Sequence, residues 1–105
     1  MSAPTTPRRQ ARFWRKFLRL TRGRVTVLRA LDVIAMEEED ESARAAVLSL
    51  RADVIDGLTL SEALAKRRPE FSLSVVELVK TAEKTGAWDE ILEEIAGGIE
   101  DGTFD

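Results

Sequence analysis

Apolar residues recur at helical spacing along almost the whole chain, and nowhere do they alternate as an amphipathic strand requires. Phe13, Trp14, Phe17, Leu18 and Thr21 share one face of a first helix, while Arg8, Arg12, Arg15, Arg19 and Arg22 stack on the other. Gly23-Arg24 breaks the pattern. A second helix turns Val27, Leu28, Leu31, Ile34 and Ala35 inward and frays into the acidic run 37–41. Asp40 or Ser42 caps a third, which presents Val47, Leu50, Val54 and Ile55 and stops at Gly57 in a left-handed turn. Thr59-Leu60-Ser61-Glu62 reads as a capping box opening a fourth helix. That helix runs through Ala63 and Leu64 to Lys66-Arg67-Arg68 and ends at Pro69. Ser74-x-x-Glu77 offers a second box, for a fifth helix carrying Val75, Val76, Leu78, Val79 and Ala82. Its apolar arc exceeds half the circumference, which predicts a central position. Gly86 ends it, and a sixth helix carries Trp88, Ile91, Leu92, Ile95 and Ile99 before Gly97, Gly98 and Gly102 weaken it. Short connections between helices of two to four turns predict an all-α fold, a compact antiparallel six-helix bundle. A faint echo links Val25-Thr26-Val27-Leu28-Arg29-Ala30-Leu31 to Leu58-Thr59-Leu60-Ser61-Glu62-Ala63-Leu64; shared capping chemistry accounts for most of it.

At 105 residues the chain is sized for one domain. The expected layout is a disordered lead over 1–7, a helical domain over 8–100 and a flexible tail over 101–105. Composition removes most small-enzyme chemistry. The chain has no Cys and no His, hence no thiolate nucleophile, imidazole base, Cys/His zinc site or disulfide. Carboxylates are the main remaining acid/base groups. They sit at helix starts and on polar faces without converging, so no catalytic residue, metal site or cofactor is expected. The run Glu37-Glu38-Glu39-Asp40-Glu41 lacks the glycine turn and ligand spacing of a calcium loop, and reads as a solvated loop and helix first turn. No apolar stretch approaches the ~20 residues of a membrane span. Nor do the first residues resemble a secretory signal, because Arg12, Arg15, Lys16 and Arg19 interrupt the apolar ones.

The formal net charge of −3 conceals a division. Residues 1–29 hold nine of the sixteen basic side chains and no acid, which leaves residues 30–105 at a net −12. Such asymmetry predicts either contact between the halves or a basic surface for an anionic partner. Arg8, Arg12, Arg15, Lys16, Arg19 and Arg22 are the candidate surface. One reading is a helix that buries its aromatics and solvates its arginines; others are contact with a protein or an anionic membrane. Nucleic acid is the least favoured partner, since Gln10 is the only uncharged polar side chain available to read bases on that face.

The second half resembles the cytoplasmic domain of type II secretion system protein F, a family shared with the platform proteins of type IV pili. The family run Gly-x-x-Leu-Ser-Glu-Ala-Leu appears as Gly57-Leu58-Thr59-Leu60-Ser61-Glu62-Ala63-Leu64. It is followed by Pro69-Glu70-Phe71 and then by Ala82-Glu83-Lys84-Thr85-Gly86 with Leu92 closing the motif. Val27-Leu28-Arg29-Ala30-Leu31 matches an earlier family helix. The likeness covers about residues 12–98. Three positions depart: Arg24 stands where a turn glycine is usual, Ala82 where the first Gly of a Gly-Glu pair is usual, and Trp88 where a Leu is usual. Family members also continue into transmembrane helices and carry a second copy of the domain, whereas this sequence runs to Asp105.

The resemblance implies a non-catalytic docking module for protein–protein contact, at the cytoplasmic face of the inner membrane. Its implied partners are the secretion or pilus assembly ATPase and other platform proteins; self-association as a homodimer stays open. Glu83 and Gly86 read as mainly structural, Glu83 receiving backbone N–H groups at a neighbouring helix start and Gly86 supplying the turn. The alternative is a free-standing helical regulator that binds nucleic acid or anionic membrane through residues 8–24.

Overall fold

Gly23-Arg24, Gly57 and Gly86 each fall between two helices. The computed structural model describes residues 7–68 and 70–102, and contains α1 (Pro7–Arg22), α2 (Val27–Glu37), α3 (Glu41–Ile55), α4 (Leu60–Ala65), α5 (Leu73–Thr85) and α6 (Trp88–Glu100). No strand occurs among the described residues. The fold is the all-α bundle that the periodicity demands. Side-chain caps start four of the helices. Thr26 accepts from the Arg29 N–H, Asp40 from Ala43, Thr59 from Glu62 and Ser72 from Val75. At Thr59 the box is complete, because Glu62 Oε1 also accepts from the Thr59 N–H at 2.9 Å.

Helix α1 holds the bundle together. Trp14 and Phe17 are fully buried, and Leu18 and Ala11 nearly so. Phe13 and Phe71 complete an aromatic cluster around Trp14, with ring centroids 4.9 and 6.3 Å from the indole. Removing Trp14 and Phe17 from water stabilises the fold by roughly 2–3 kcal/mol each. Among the described residues the indole N–H of Trp14 has no hydrogen-bond partner, and the ring packs through its apolar surface. α1 packs most extensively on α6 and also touches α2, while α2 packs on α3, α4 on α5 and α5 on α6. Gln10 ties α1 to the connector after α4 by donating to the Glu70 carbonyl at 2.7 Å.

Several details differ from expectation. α5 is not surrounded by other helices: Val75, Val76, Val79 and Ala82 are buried, but Leu73, Ser74, Glu77, Lys80 and Thr81 on its other side are exposed. Ser72 rather than Ser74 caps α5, because Phe71 turns into the core and leaves Ser72 as the extended residue before the first turn. Lys66-Arg67-Arg68 lies beyond α4, in turns closed by Arg67 N–H on Leu64 O and Arg68 N–H on Ala65 O. The terminator expected at Pro69 lies outside the described residues, as do positions 1–6 of the lead and 103–105 of the tail. α1 already includes Pro7, which suits a first helical position because it needs no N–H partner there. Ile55 is 54% exposed, since α3 turns Ala46, Val47 and Leu50 inward and carries Leu48 and Ile55 on its outer face. α6 runs through Gly97 and Gly98 to Glu100: burial of Ile95, Ala96 and Ile99 outweighs the ~1 kcal/mol that each helical glycine costs.

The exits of α1 and α3 are built alike. After α1, Val25 N–H reaches back to Leu20 O and Arg24 N–H to Thr21 O; after α3, Leu58 N–H reaches Asp53 O and Gly57 N–H reaches Val54 O. Both are Schellman turns, followed at once by a threonine cap. The echo noted in the sequence is therefore this helix-to-helix joint used twice. At the left-handed position of the first joint stands Arg24, with φ of 65°, where the second has Gly57. An L side chain there costs roughly 1–2 kcal/mol, partly offset by the greater freedom of glycine in the unfolded chain. Arg24→Gly is thus expected to stabilise the fold by about 1 kcal/mol and to raise the melting temperature by about 4–8 °C. Thermal melting followed by circular dichroism checks this; a lower melting temperature would show that the Arg24 side chain contributes contacts exceeding its backbone strain.

Candidate docking surface

The basic helix is largely neutralised from within. On one flank Arg15 forms a fork to Glu100, Nε to Oε2 at 3.0 Å and one terminal nitrogen to Oε1 at 2.7 Å, and donates to Glu93 at 2.7 Å. Arg22 reaches the other oxygen of Glu93 at 3.2 Å. These contacts set α1 and α6 antiparallel, because the later arginine meets the earlier glutamate. On the opposite flank Lys16 pairs with Glu37 at 3.0 Å and Arg9 with Asp40 at 2.9 Å. The charge division along the chain is therefore met in part by contact between its two halves.

Arg8, Arg12 and Arg19 stand apart. All three are exposed, and none has an ion-pair partner among the described residues. At 100° per residue they lie within about 40° of one another around the axis, between the two neutralised flanks. The six-residue basic surface thus separates into three paired cations and a crest of three unpaired ones. Arg12 stands between two shallow grooves: Arg8, Ala11, Arg15, Ile99 and Glu100 line one, and Lys16, Ile34 and the acidic run line the other.

The acidic run is not merely solvated. Asp40 accepts from Ala43 N–H, Glu38 accepts from Asp40 N–H, and the Glu38 carbonyl accepts from the Arg44 guanidinium. Arg51 and Asp32 pair across α2 and α3. No group of three or more side chains placed to hold a metal occurs among the described residues. No helix there is long and apolar enough to cross a membrane.

The motif residues occupy the interior and its joints. Ala30, Leu31, Leu60, Ala63, Leu64 and Leu92 are buried. Gly57 and Gly86 adopt left-handed conformations, with φ of 104° and 80°. Glu83, on α5, reaches the start of α4: one oxygen accepts from the Ser61 N–H at 2.9 Å and the other from the Ser61 hydroxyl at 2.7 Å. The carboxylate thereby occupies a helix start, where negative charge is favoured, and satisfies the only buried polar side chain among the described residues. Ser61 as the recipient carries no signature in the sequence beyond its place in the box.

Glu83→Ala leaves the Ser61 N–H without its acceptor and the Ser61 hydroxyl with only Thr59 Oγ1, 3.1 Å away, and is expected to destabilise the fold by about 2 kcal/mol; Glu83→Gln, which keeps one acceptor, should cost less. Urea unfolding of both variants, alone and with Ser61→Ala, checks this: an unchanged stability in Glu83→Ala would show that the contact contributes nothing, and additivity with Ser61→Ala would assign its effect to the backbone N–H alone. A second expectation concerns acid. Hydrogen bonds from Arg15 hold Glu93 and Glu100 below the ordinary glutamate value of 4.5, and the Ala43 N–H followed by Arg9 holds Asp40 below 3.8. Depressed folded-state values mean that this stability is fully present above those ordinary values and is lost as pH falls through the lowered ones. Melting temperature should therefore fall below about pH 4.5 in the native chain. In Arg15→Gln the fall should be shallower, and parallel curves would exclude the Arg15 network as its source.

Residues 13–103 match the family described as type II secretion system (T2SS), protein F. The chain is 32% identical over 90 residues to the type 4 fimbrial assembly protein PilC of Pseudomonas putida, covering 86% of this chain and 22% of that protein. It is 33% identical over 88 residues to the type IV pilus assembly protein PilC of Thermus thermophilus, covering 84% of this chain and 21% of the relative. Against the PilC of Myxococcus xanthus the identity is 31% over 91 residues, covering 87% and 22%. The chain spans about a fifth of the length of these curated relatives. With nearly the whole helical bundle inside the matched segment, the chain belongs to the type II secretion system protein F family, which includes the platform proteins of type IV pili.

Proposed function

We propose that this domain is a non-catalytic docking module of a secretion or pilus assembly platform, positioned at the cytoplasmic face of the inner membrane. Its partners in this reading are the assembly ATPase and neighbouring platform proteins. The observation that carries the proposal is the match over residues 13–103 to proteins named for secretion and pilus assembly. The surface supports it. Glu93 and Glu100 of α6, and Glu37, Glu38 and Asp40 of the α2–α3 joint, are engaged by arginine, lysine and backbone N–H groups, an arrangement that ties neighbouring helices together. The motif residues are proposed to act by shaping the bundle that presents this surface.

The alternative regulator acting through residues 8–24 draws less support. Trp14 and Phe17, which would anchor an interfacial helix in lipid, are fully buried in the bundle. Affinity capture with the tagged full chain, from cells that express the machinery, tests the reading. Enrichment of the assembly ATPase or another platform protein over a tag-only control is the expected outcome. Absence of enrichment, with those proteins present in the lysate, would overturn it.

A further inference from the structure

We propose that Arg8, Arg12 and Arg19 form a docking ridge and that its occupant is an acidic helical segment of a protein partner. The inference rests on the docking reading and names the surface and the chemistry that it would use. Three observations carry it. The three guanidinium groups are exposed and unpaired among the described residues, on a helix whose other cations at positions 9, 15, 16 and 22 are engaged by carboxylates. They extend along eleven residues, about 16 Å, or three turns of a facing helix. Neutralised pairs border the crest on both sides, Lys16–Glu37 and Arg9–Asp40 on one and Arg15 and Arg22 with Glu93 and Glu100 on the other.

That border decides between shapes of partner. The ion pairs leave both flanks neutral, so a flat anionic bilayer laid on the helix would meet only a narrow positive strip. Three cations give such a surface little to hold, and no aromatic side chain among the described residues is exposed beside them to insert. Duplex DNA is likewise broader than the strip. A single acidic helix is narrow enough to lie along the crest, with grooves on either side of Arg12 to receive its neighbouring side chains. Carboxylates there would complete charge-assisted bonds that α1 leaves open.

The test uses the full chain and a labelled helical peptide with glutamates at i, i+4 and i+11 on an alanine- and glutamine-rich background, read by fluorescence anisotropy. Binding should weaken by about fivefold or more between about 50 and 200 mM salt. It should weaken by about tenfold in the triple variant Arg8→Glu, Arg12→Glu, Arg19→Glu, and by less in the matching Gln variants. A triple variant with the same charge change off the crest, Arg29→Glu, Arg68→Glu, Lys84→Glu, should retain binding. Circular dichroism establishes that each variant is folded, and the Gln series decides the matter where the Glu series is not. No peptide binding at low salt, or equal loss in the crest and off-crest variants, would overturn the ridge. So would tighter binding of anionic phospholipid vesicles or duplex DNA through the same three arginines. Capture of the assembly ATPase by the crest-reversed chain would also overturn the ridge while leaving the docking reading intact. Failure of the unaltered chain to capture any platform protein strikes the docking reading itself.

Discussion

The arrangement of this domain depends on the insertion of one aromatic face into the middle of a bundle of short helices. Trp14 and Phe17 lose all contact with water, and Phe13 and Phe71 close over the indole. Helices of six to sixteen residues have little stability on their own in water. They gain it by sharing these large side chains. Because α1 touches α2, α6 and the connector at Glu70, its position determines the mutual placement of elements that do not otherwise meet.

Electrostatics follows from that placement. Once the aromatic face is buried, the flanks of α1 must lie beside α6 and beside the joint between α2 and α3, both rich in carboxylates. Exposed pairs of this kind contribute little individually to stability. Their larger effect is selective: they remove four cations from the surface potential and leave three in a line. A helix that looks uniformly basic as a sequence is, in the folded domain, a narrow positive strip between two neutral borders.

What could be read in the sequence was whatever depends on a few neighbouring residues. The Thr59–Glu62 box, the left-handed turns at Gly57 and Gly86 and the helical periodicity are all of this kind. The sequence pointed to Ser74, with Glu77 three residues on, as the cap of α5, and only the burial of Phe71 moves the cap to Ser72. Val54 and Ile55 are 100° apart on α3, so the rotation that turns Val47 and Leu50 inward leaves Ile55 with Leu48 on the outer face. The sequence suggested a helix start as the partner of Glu83, but which start depends on how α5 packs on α4. The division of the arginines into paired and unpaired was not legible at all. It requires knowing that residues 15 and 100 are adjacent, and that adjacency is created by the aromatic core far from either charge.

The antiparallel pairing of α1 with α6 has a consequence for how this unit sits in longer polypeptides. Arg8 and Ala11 share a groove with Ile99 and Glu100, so the first turn of the domain and its last lie side by side. Polypeptide joined at either end would leave from the same side of the bundle, without having to wrap around it. Such a unit can be spliced between flanking segments as a self-contained lobe. Relatives about five times as long as the region they share with this chain have room for such flanking segments.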